Sequence, residues 1–365
     1  MKINILLPYK EKFTKDEASS VSITVSNNLE YSKYQSSVSI YGQFVEKPMF
    51  KKNFNGIKKP LNFLKKKNLH IALEMCKKIN DENDENTIIE IHNRPYLINK
   101  IKSKLKKSHI LTHFFHNDPL EMKGSKSVIE RENLLLNLDK VYCVSEYIKR
   151  RFLTGISKNH SKVVVLYNGV KRKHKDFPKK KKLVIFVGRI VEEKGVHLFA
   201  NAVKEIYNLF EKWEFKIIGS PRLGINNFDN YSNTIKNDFE RLGKRAKMIG
   251  FIDSTNLNQI VSKSSIIVIP SIWQEPFGLV AAEAMSHGTA IIASNVGGLP
   301  EIIKKNGILI NNINANKISD NLKKLMTNQN LLMSYQKKSW HNFIFNSKRV
   351  SLILDKHRKK LFLKN

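Results

Sequence analysis

Short apolar segments alternate with helical patterns along the whole chain, and this alternation restricts the fold more than any other feature. In the first half, the strand candidates are residues 3–8, 37–41, 87–91, 109–115, 140–144 and 162–166, with a first helix predicted at 18–29. Strands that alternate with helices form parallel, doubly wound sheets, because each return to the same edge of a sheet needs a crossover. The sequence therefore predicts an α/β protein.

The alternation stops once, in the charged segment 171–182, and then begins again. The second series predicts strands at 183–187, 214–218, 246–249, 266–269 and 290–293, and helices at 196–212 and 279–287. A chain of 365 residues also exceeds the size at which one hydrophobic core usually stops growing. We therefore predict two Rossmann-like domains, 1–170 and 183–330, joined by a linker at 171–182.

Composition narrows the class of protein. Two cysteines, Cys76 and Cys143, cannot build a disulfide framework, and neither has the spacing of a paired metal ligand. No apolar run approaches the roughly 20 residues of a membrane span, and the opening apolar stretch is too short for a signal peptide. We expect a cytoplasmic protein that is soluble or peripheral.

The net charge of +32 has three candidate causes: nucleic acid, anionic lipid, or compositional drift toward Lys, Asn and Ile. Nucleic-acid binding is disfavoured, because the chain has neither zinc-finger spacing nor an RNP-like aromatic motif. The stretch 51–67 interleaves lysines with Phe, Leu and Ile, and 100–107 is a second basic stretch. Such stretches can dock on an anionic membrane surface, although a solvated loop and helix face explains them nearly as well.

Charged residues follow the first strand of the second half. Residues 183–187 end in Gly188 and Arg189, and Lys194 with Gly195 leads into the next helix. Two cations beside a helix N-terminus suit a diphosphate, because charge-assisted hydrogen bonds and the helix dipole both favour the anion. A solvated loop with ordinary charges is the alternative interpretation.

A second motif follows the strand at 266–269. Pro276 fits a turn before a helix, and Gly278 lets backbone amides approach a ligand closely. Glu275 and Glu283 bracket the helix start, so one carboxylate can face a sugar hydroxyl while the other reaches ribose hydroxyls. Alternatively, Glu275 is a helix cap and Glu283 a surface residue.

Together with 288–294 and 297–301, the segment 270–285 resembles the signature of glycosyltransferase family 4. Supporting pieces are 188–189, 193–195, 218–220, 250–252, 139–146 and 168–170. The resemblance implies the GT-B fold, in which two Rossmann-like domains face each other across a cleft. It also implies that the donor binds the C-terminal half and that residues 331–365 form a helix crossing back to the N-terminal domain.

The resemblance implies roles for individual donor-side residues. Arg189 and Lys194 would hold the donor diphosphate, and Glu283 would bind the ribose. Glu275 would grip the transferred sugar, aided by the backbone of Phe277, Gly278 and Leu279, while Gly250, Phe251 and Ile252 would lie along the base. Because the chain contains no D-x-D triplet, we predict that neither a metal nor another cofactor is required.

The N-terminal half offers acceptor-side candidates. His116 matches the histidine that family members place near the anomeric carbon, although a lone histidine is more often structural. His92 and Arg94 belong to a segment, 89–95, that resembles a variant seen in envelope-directed members. The usual Gly-Gly pair after the first strand is replaced by residues 16–21, where Ser19, Ser20 and helix amides would contact the donor phosphates. Lys171 also stands where the family commonly has an aspartate.

The resulting prediction is a retaining, metal-independent glycosyltransferase of the hexosyltransferase type, with His116, Glu275, Arg189 and Lys194 as catalytic candidates. A UDP-sugar donor and an envelope glycan, lipopolysaccharide or lipid-linked acceptor are favoured. No carboxylate pair is assignable as acid and nucleophile, so a glycoside hydrolase is not supported. The alternatives are a GT-B nucleotide-sugar epimerase and a basic nucleic-acid-binding protein.

Overall fold

The computed structural model describes residues 1–15, 17–60, 66–82, 86–105, 108–156, 160–222 and 228–364. The chain divides into two compact units. The N-terminal unit comprises Met1–Gly169 and Ser347–Asn365, and the C-terminal unit comprises Val170–Asn346. Each unit contains one sheet, with seven strands in the first and six in the second.

The N-terminal unit is built on a parallel sheet. Its strands are β1 (Ile3–Leu6), β2 (Val38–Gln43), β3 (Phe54–Ile57), β4 (Ile88–His92), β5 (Ile110–Phe115), β6 (Lys140–Cys143) and β7 (Val163–Val165), in the spatial order β3-β2-β1-β4-β5-β6-β7. Its first helices are α1 (Ser20–Glu30), α2 (Lys67–Asp81), α3 (Ile98–Lys102), α4 (Val128–Asn137) and α5 (Glu146–Leu153). Strands β4 and β5 are buried along their whole length, as expected for a parallel sheet covered on both faces.

The C-terminal unit repeats this plan. Its strands are β8 (Lys181–Val187), β9 (Glu214–Ile218), β10 (Ala246–Gly250), β11 (Ser264–Ile269), β12 (Ala290–Ser294) and β13 (Ile308–Ile310), all parallel, in the order β10-β9-β8-β11-β12-β13. Its helices are α6 (Val196–Ile206), α7 (Asn230–Glu240), α8 (Ser254–Lys263), α9 (Leu279–Ser286), α10 (Leu299–Ile303), α11 (Ala315–Thr327) and α12 (Gln329–His341). Short 3-10 helices in the two units are Gln35–Ser37, Lys51–Asn53, Pro95–Leu97, Pro119–Glu121, Glu192–Lys194, Tyr207–Leu209 and Lys304–Asn306.

The two doubly wound units confirm the predicted fold class, and the observed strands agree with the predicted ones to within two residues. The sequence missed β3 and β13. The observed helix α6 is shorter than the predicted helix 196–212, because it ends at Ile206 and the chain continues as a 3-10 turn.

The unit boundaries differ from the predicted ones. The segment 171–182 is part of the C-terminal unit rather than a separate linker, since Lys181 and Lys182 already belong to β8. Lys180 Nζ also donates hydrogen bonds to the carbonyl oxygens of Ser262 and His287. The return to the N-terminal unit begins at Ser347 rather than at residue 331, because α12 packs on the C-terminal unit.

Part of the basic stretch 51–67 belongs to the core of the N-terminal unit. Phe54 begins β3, and its ring stacks on Phe13 at a centroid distance of 5.4 Å, while the Phe50 ring lies 6.4 Å from Phe13. These two aromatic side chains therefore stabilise the sheet edge rather than offering an anchor to lipid. Residues 61–65 of this stretch and 106–107 of the second one lie outside the described residues. Among the described helices, none combines the length and apolar character needed to span a bilayer.

The C-terminal helix α13 (Ser347–Phe362) is fixed to the N-terminal sheet by buried charges. Arg358 makes a bidentate contact with Glu90 of β4, with Nε to Oε1 at 2.8 Å and Nη2 to Oε2 at 2.7 Å. Its Nη1 also donates to Asp355, whose carboxylate accepts from the Ser32 hydroxyl and the Lys33 amide. Because every charge in this network has partners, it can remain buried.

Removing one charged residue of this network leaves the other buried charges without a partner. We expect Arg358→Leu to lower the free energy of unfolding of the N-terminal unit by about 3–5 kcal/mol, since Glu90 would keep a buried, unpaired charge. Hydrogen exchange of peptides from β4 at increasing urea concentration measures this loss. The exposed Arg349→Leu variant on the same helix is the control, and an equal loss in that variant would contradict the proposed role of the ion pair.

Candidate functional site

The carboxyl ends of β8 and β11 lie side by side, because these strands are neighbours in the C-terminal sheet. Lys194 follows β8, Glu275 follows β11, and the ammonium Nζ lies 2.6 Å from the carboxylate Oε1. The Ser271 hydroxyl donates to the same oxygen at 2.6 Å. Both charged side chains are largely buried, at 18% and 12% exposure, so their attraction is weakly screened by water. The structure thus joins two residues that the sequence singled out separately.

Gly195 allows the loop after β8 and the loop after β11 to lie close together. Gly195 has a φ of 68°, and a Cβ there would lie 2.0 Å from the carbonyl oxygen of Pro270. The Ile272 amide donates to the Glu193 carbonyl at 3.0 Å, which holds the two loops together. A side chain at Gly195 would therefore push the loop after β11 away from Lys194.

A second loop fixes the backbone of Glu275. The Gly298 amide donates to the Glu275 carbonyl at 2.7 Å, and a Cβ on Gly297 would approach the same oxygen to 2.2 Å. The Gln274 side chain accepts from the Gly297 amide at 2.7 Å. Gly297 is thus explained by its contact with the Glu275 backbone, whereas a Cβ on Gly298 would lie 2.8 Å from the Pro276 carbonyl oxygen.

Helix α9 begins next to this pair and carries the second carboxylate. Gly278 precedes the helix with a φ of 98°, and Gly278 and Leu279 are partly exposed, whereas Phe277 is buried and lies edge-on to Phe345. Glu283 is half-buried, and its carboxyl makes no hydrogen bond or ion pair with any described residue. Burial raises the pKa of Glu283 to about 7, although the charge of Lys173 opposes this shift. Such a carboxylate costs stability unless a ligand satisfies it.

The remaining donor-side candidates lie at the same edge of the sheet. Arg189 follows β8 and pairs with Glu193 at 2.5 Å, and both side chains are about two-fifths exposed. Gly250 ends β10, and its carbonyl accepts from the Gly219 amide at 2.8 Å. Phe251 and Ile252 follow Gly250 and are half-buried. Arg189 and Lys194, the two cations predicted to bind the diphosphate, therefore each form an ion pair with a carboxylate of the chain.

In the N-terminal unit, two histidines that the sequence singled out as acceptor-side candidates contact each other. His92 ends β4 and His116 follows β5, and His92 Nδ1 lies 2.8 Å from His116 Nε2. Burial lowers the pKa of His116 to about 4 and that of His92 well below its usual range, and the proximity of His116 lowers the latter further. Both rings are thus neutral at pH 7, and one donates its N–H to the other.

The other acceptor-side candidates follow strands β4 and β1. Arg94 follows β4 and is half-buried. Ser19 caps helix α1 by accepting from the Ser22 amide, and Ser20 is the exposed first residue of that helix. Ser19 therefore has a structural role, while the first amides of α1 remain unpaired within the helix.

Two residues that the sequence did not single out lie in the same region. Asn93 accepts a hydrogen bond from the His116 amide at 3.0 Å. Glu11, in the loop after β1, has a carboxyl oxygen that is buried without a partner among the described residues. Their position after parallel strands was the only sequence signal that could have identified them. Among the described residues, no three His, Cys, Asp or Glu side chains converge as a metal site would require.

Comparisons with known proteins place this chain among glycosyltransferase-like sequences. Residues 169–341 match the family model described as Glycosyl transferases group 1. An uncharacterized glycosyltransferase of Methanocaldococcus jannaschii is 31% identical over 234 residues, which are 63% of this chain and 62% of that protein. Spore coat protein SA of Bacillus subtilis is 28% identical over 61% of this chain and 64% of its own length. The matched region thus covers less than two thirds of these relatives.

Solved structures share the fold over the whole chain. Anabaena Alr3699/HepE in complex with UDP-glucose has a TM-score of 0.73 at 15% identity, covering 99% of this chain and 100% of that one. Sucrose-phosphate synthase from Thermosynechococcus elongatus has a TM-score of 0.76 at 17% identity and covers 100% of both chains. The fold is therefore GT-B, as the sequence predicted.

The desolvated Glu283 predicts an unusual pH dependence of stability. The folded chain keeps a proton on this carboxyl up to about pH 7, whereas the unfolded chain releases it near the ordinary value of 4.5. Stability therefore falls as the pH rises between these values. We expect Glu283→Gln to gain about 2 kcal/mol over the natural chain between pH 5 and pH 8.

Urea unfolding followed by tryptophan fluorescence measures this effect, because Trp213, Trp273 and Trp340 all lie in the C-terminal unit. The exposed Glu211→Gln variant is the control and should show no such gain. A Glu283→Gln variant that follows the natural chain at every pH would show that this carboxyl is not desolvated.

Proposed function

We propose that this chain is a retaining glycosyltransferase that moves a sugar from a nucleotide diphosphate donor to an acceptor. The observation that carries the proposal is the Lys194–Glu275 pair at the start of α6, beside the N-terminus of α9 and near the unsatisfied Glu283. A cation, helix amides and two carboxylates at one sheet edge can bind the phosphates and the hydroxyls of one donor.

The two cations would bind the diphosphate by sharing or exchanging their present partners. Arg189 is already paired with Glu193, and Lys194 with Glu275. A diphosphate places an anionic charge on each of two adjacent phosphates, and its oxygens form strong charge-assisted hydrogen bonds with both cations. As the glycosidic bond breaks, negative charge grows on the leaving phosphate, and Arg189 and Lys194 would stabilise it without a metal.

The two carboxylates would bind hydroxyls of the donor. Glu275 uses Oε1 for both Lys194 and Ser271, so Oε2 can accept from a hydroxyl of the transferred sugar, next to the backbone at Phe277, Gly278 and Leu279. Glu283 can accept from the ribose hydroxyls, which would replace the hydrogen bonds that it lacks in the described chain. Gly250, Phe251 and Ile252 would contact the base.

A UDP-sugar is our proposed donor. The support is the GT-B fold shared with Alr3699/HepE, a protein whose structure holds UDP-glucose. The proposed acceptor is an envelope glycan or a lipid-linked saccharide, consistent with the similarity to a spore coat protein. His116 would contact the sugar or the acceptor hydroxyl through its neutral ring. Two unpaired cysteines, Cys76 and Cys143, support a cytoplasmic location.

Retention would follow from transfer on one face of the sugar. The bond from the anomeric carbon to the phosphate oxygen breaks, and the acceptor oxygen attacks from the same side. The leaving phosphate takes the proton of the acceptor hydroxyl, so no protein base is needed. A nucleotide-sugar epimerase is the rival activity, and it would form a product without any acceptor.

The donor site is tested by thermal shift against UDP, GDP, ADP and CMP, with and without EDTA. We expect UDP to raise the melting temperature by a few degrees at 100 times its Kd, since a ligand stabilises the state that it binds. The shift should persist in EDTA. Arg189→Ala and Lys194→Met should each weaken UDP binding by about 10- to 100-fold, because each loses a charge-assisted contact.

Arg241→Ala is the matched control, because this arginine lies in the same unit with 79% of its side chain exposed, and it should bind UDP normally. A shift that disappears in EDTA would contradict metal independence. No shift with any of the four nucleotides would contradict the proposed donor site.

Retention is tested by following the anomeric proton during turnover by NMR. With an α-linked UDP-sugar and an acceptor glycoside, we expect an α-linked product and no reaction without acceptor. A β-linked product would contradict the retaining mechanism, and acceptor-independent conversion of the donor would favour the epimerase.

A further inference from the structure

Glu11 lies at the edge of the N-terminal sheet where the strands have their carboxyl ends. The reaction proposed above assigns no role to its carboxyl group. It lies in the loop between β1 and α1, where its amide donates to the Pro8 carbonyl at 2.9 Å. Strand β1 pairs with β4, and Arg94 follows β4. Parallel pairing thus brings the two loops to the same edge, and the charge of Arg94 acts directly on Glu11.

The Glu11 carboxyl is desolvated and incompletely satisfied. Its Oε2 atom is buried and has no hydrogen-bond partner among the described residues. Burial raises the pKa of Glu11 to about 7, and the charge of Arg94 only partly opposes this. By contrast, Glu17 in the same loop is exposed and pairs with Lys12 at 2.6 Å. A buried acceptor without a donor destabilises the folded chain unless a ligand supplies the donor.

Arg94 is the charged residue that lies at the same sheet edge as Glu11. Asn93 and Arg94 have φ values of 53° and 59°, so two successive non-glycine residues adopt the left-handed conformation. Such strain persists only where surrounding contacts impose it. Here the Asn93 amide donates to the Phe114 carbonyl, and its side chain accepts from the His116 amide. The half-buried Arg94 guanidinium makes no hydrogen bond or ion pair with any described residue.

The two groups are complementary to a neutral diol. A carboxylate accepts hydrogen bonds and a guanidinium only donates them. One sugar hydroxyl can donate to the half-buried Glu11 carboxyl while its neighbour accepts from Arg94. A phosphate or carboxylate on Arg94 would instead face the carboxyl oxygens of Glu11, which repel it when ionised.

We propose that Glu11 and Arg94 together bind two adjacent hydroxyls of a neutral sugar on the acceptor. This inference rests on the proposed transferase function and names the acceptor chemistry that its N-terminal unit recognises. The strained Asn93 links this subsite to His116, so an acceptor held by Glu11 and Arg94 lies close to the residue proposed to contact the reacting hydroxyl.

The test uses methyl α- and β-glycosides of glucose, galactose, mannose and N-acetylglucosamine, titrated by NMR into the full chain. We expect at least one glycoside to bind, and both Glu11→Gln and Arg94→Lys to weaken it at least 10-fold. Glu17→Gln is the matched control and should bind like the natural chain. UDP binding should be unchanged in all three variants, and Glu11→Gln should be at least as stable as the natural chain.

Three results would overturn the proposal. The natural chain could bind none of the glycosides while binding UDP, or both variants could bind glycosides normally. Alternatively, glucose 6-phosphate or glucuronate could bind 10-fold better than the neutral sugars and ignore Glu11→Gln, which would indicate an anionic acceptor. Failure of UDP to bind the natural chain would instead contradict the donor proposal, and the glycoside titration would still decide the acceptor subsite.

Discussion

Parallel pairing of the central strands is the constraint from which both candidate sites follow. Because all strands of a parallel sheet run the same way, the loops after them meet at one edge. In the C-terminal unit, the pairing of β8 with β11 brings Lys194 to Glu275 across 81 positions of sequence. In the N-terminal unit, the pairing of β4 with β1 and β5 gathers Glu11, Arg94 and the His92–His116 pair.

Two buried arginines away from these edges have partners for their guanidinium groups. Arg358 is held by Glu90 and Asp355, and Arg131 donates to the backbone carbonyls of Phe152, Ser125, Lys126 and Thr154. By contrast, Glu11 in the loop after β1 keeps a buried carboxyl oxygen that no described residue satisfies, and the Glu283 carboxyl in α9 has no hydrogen-bond partner among the described residues. Buried carboxyls without a partner are functional-site candidates, because a ligand can supply the donor that the protein does not.

The large positive net charge of the chain does not by itself identify a binding surface. The chain is rich in lysine, yet Phe54 of the basic stretch 51–67 and the preceding Phe50 pack on Phe13 in the core. Phe54 therefore stabilises the sheet edge at β3. A pattern of charge and aromatic residues does not separate these uses, since edge strands are short and carry lysine for their own reasons.

The sequence by itself determined the α/β class and most of the strand positions, and it singled out the donor-side candidates. It did so because buried parallel strands are apolar runs, and because Gly195, Gly278 and Gly297 mark backbone positions that a side chain would block. It missed β3 and β13, whose three or four residues carry too weak a pattern, and it placed the unit boundaries differently. Only the tertiary structure joined Lys194 to Glu275, paired His92 with His116, and revealed Glu11 and the strained Asn93–Arg94 turn. Those features depend on which strands become neighbours and on how deeply each carboxyl is buried, and both are set by packing between residues far apart in the chain.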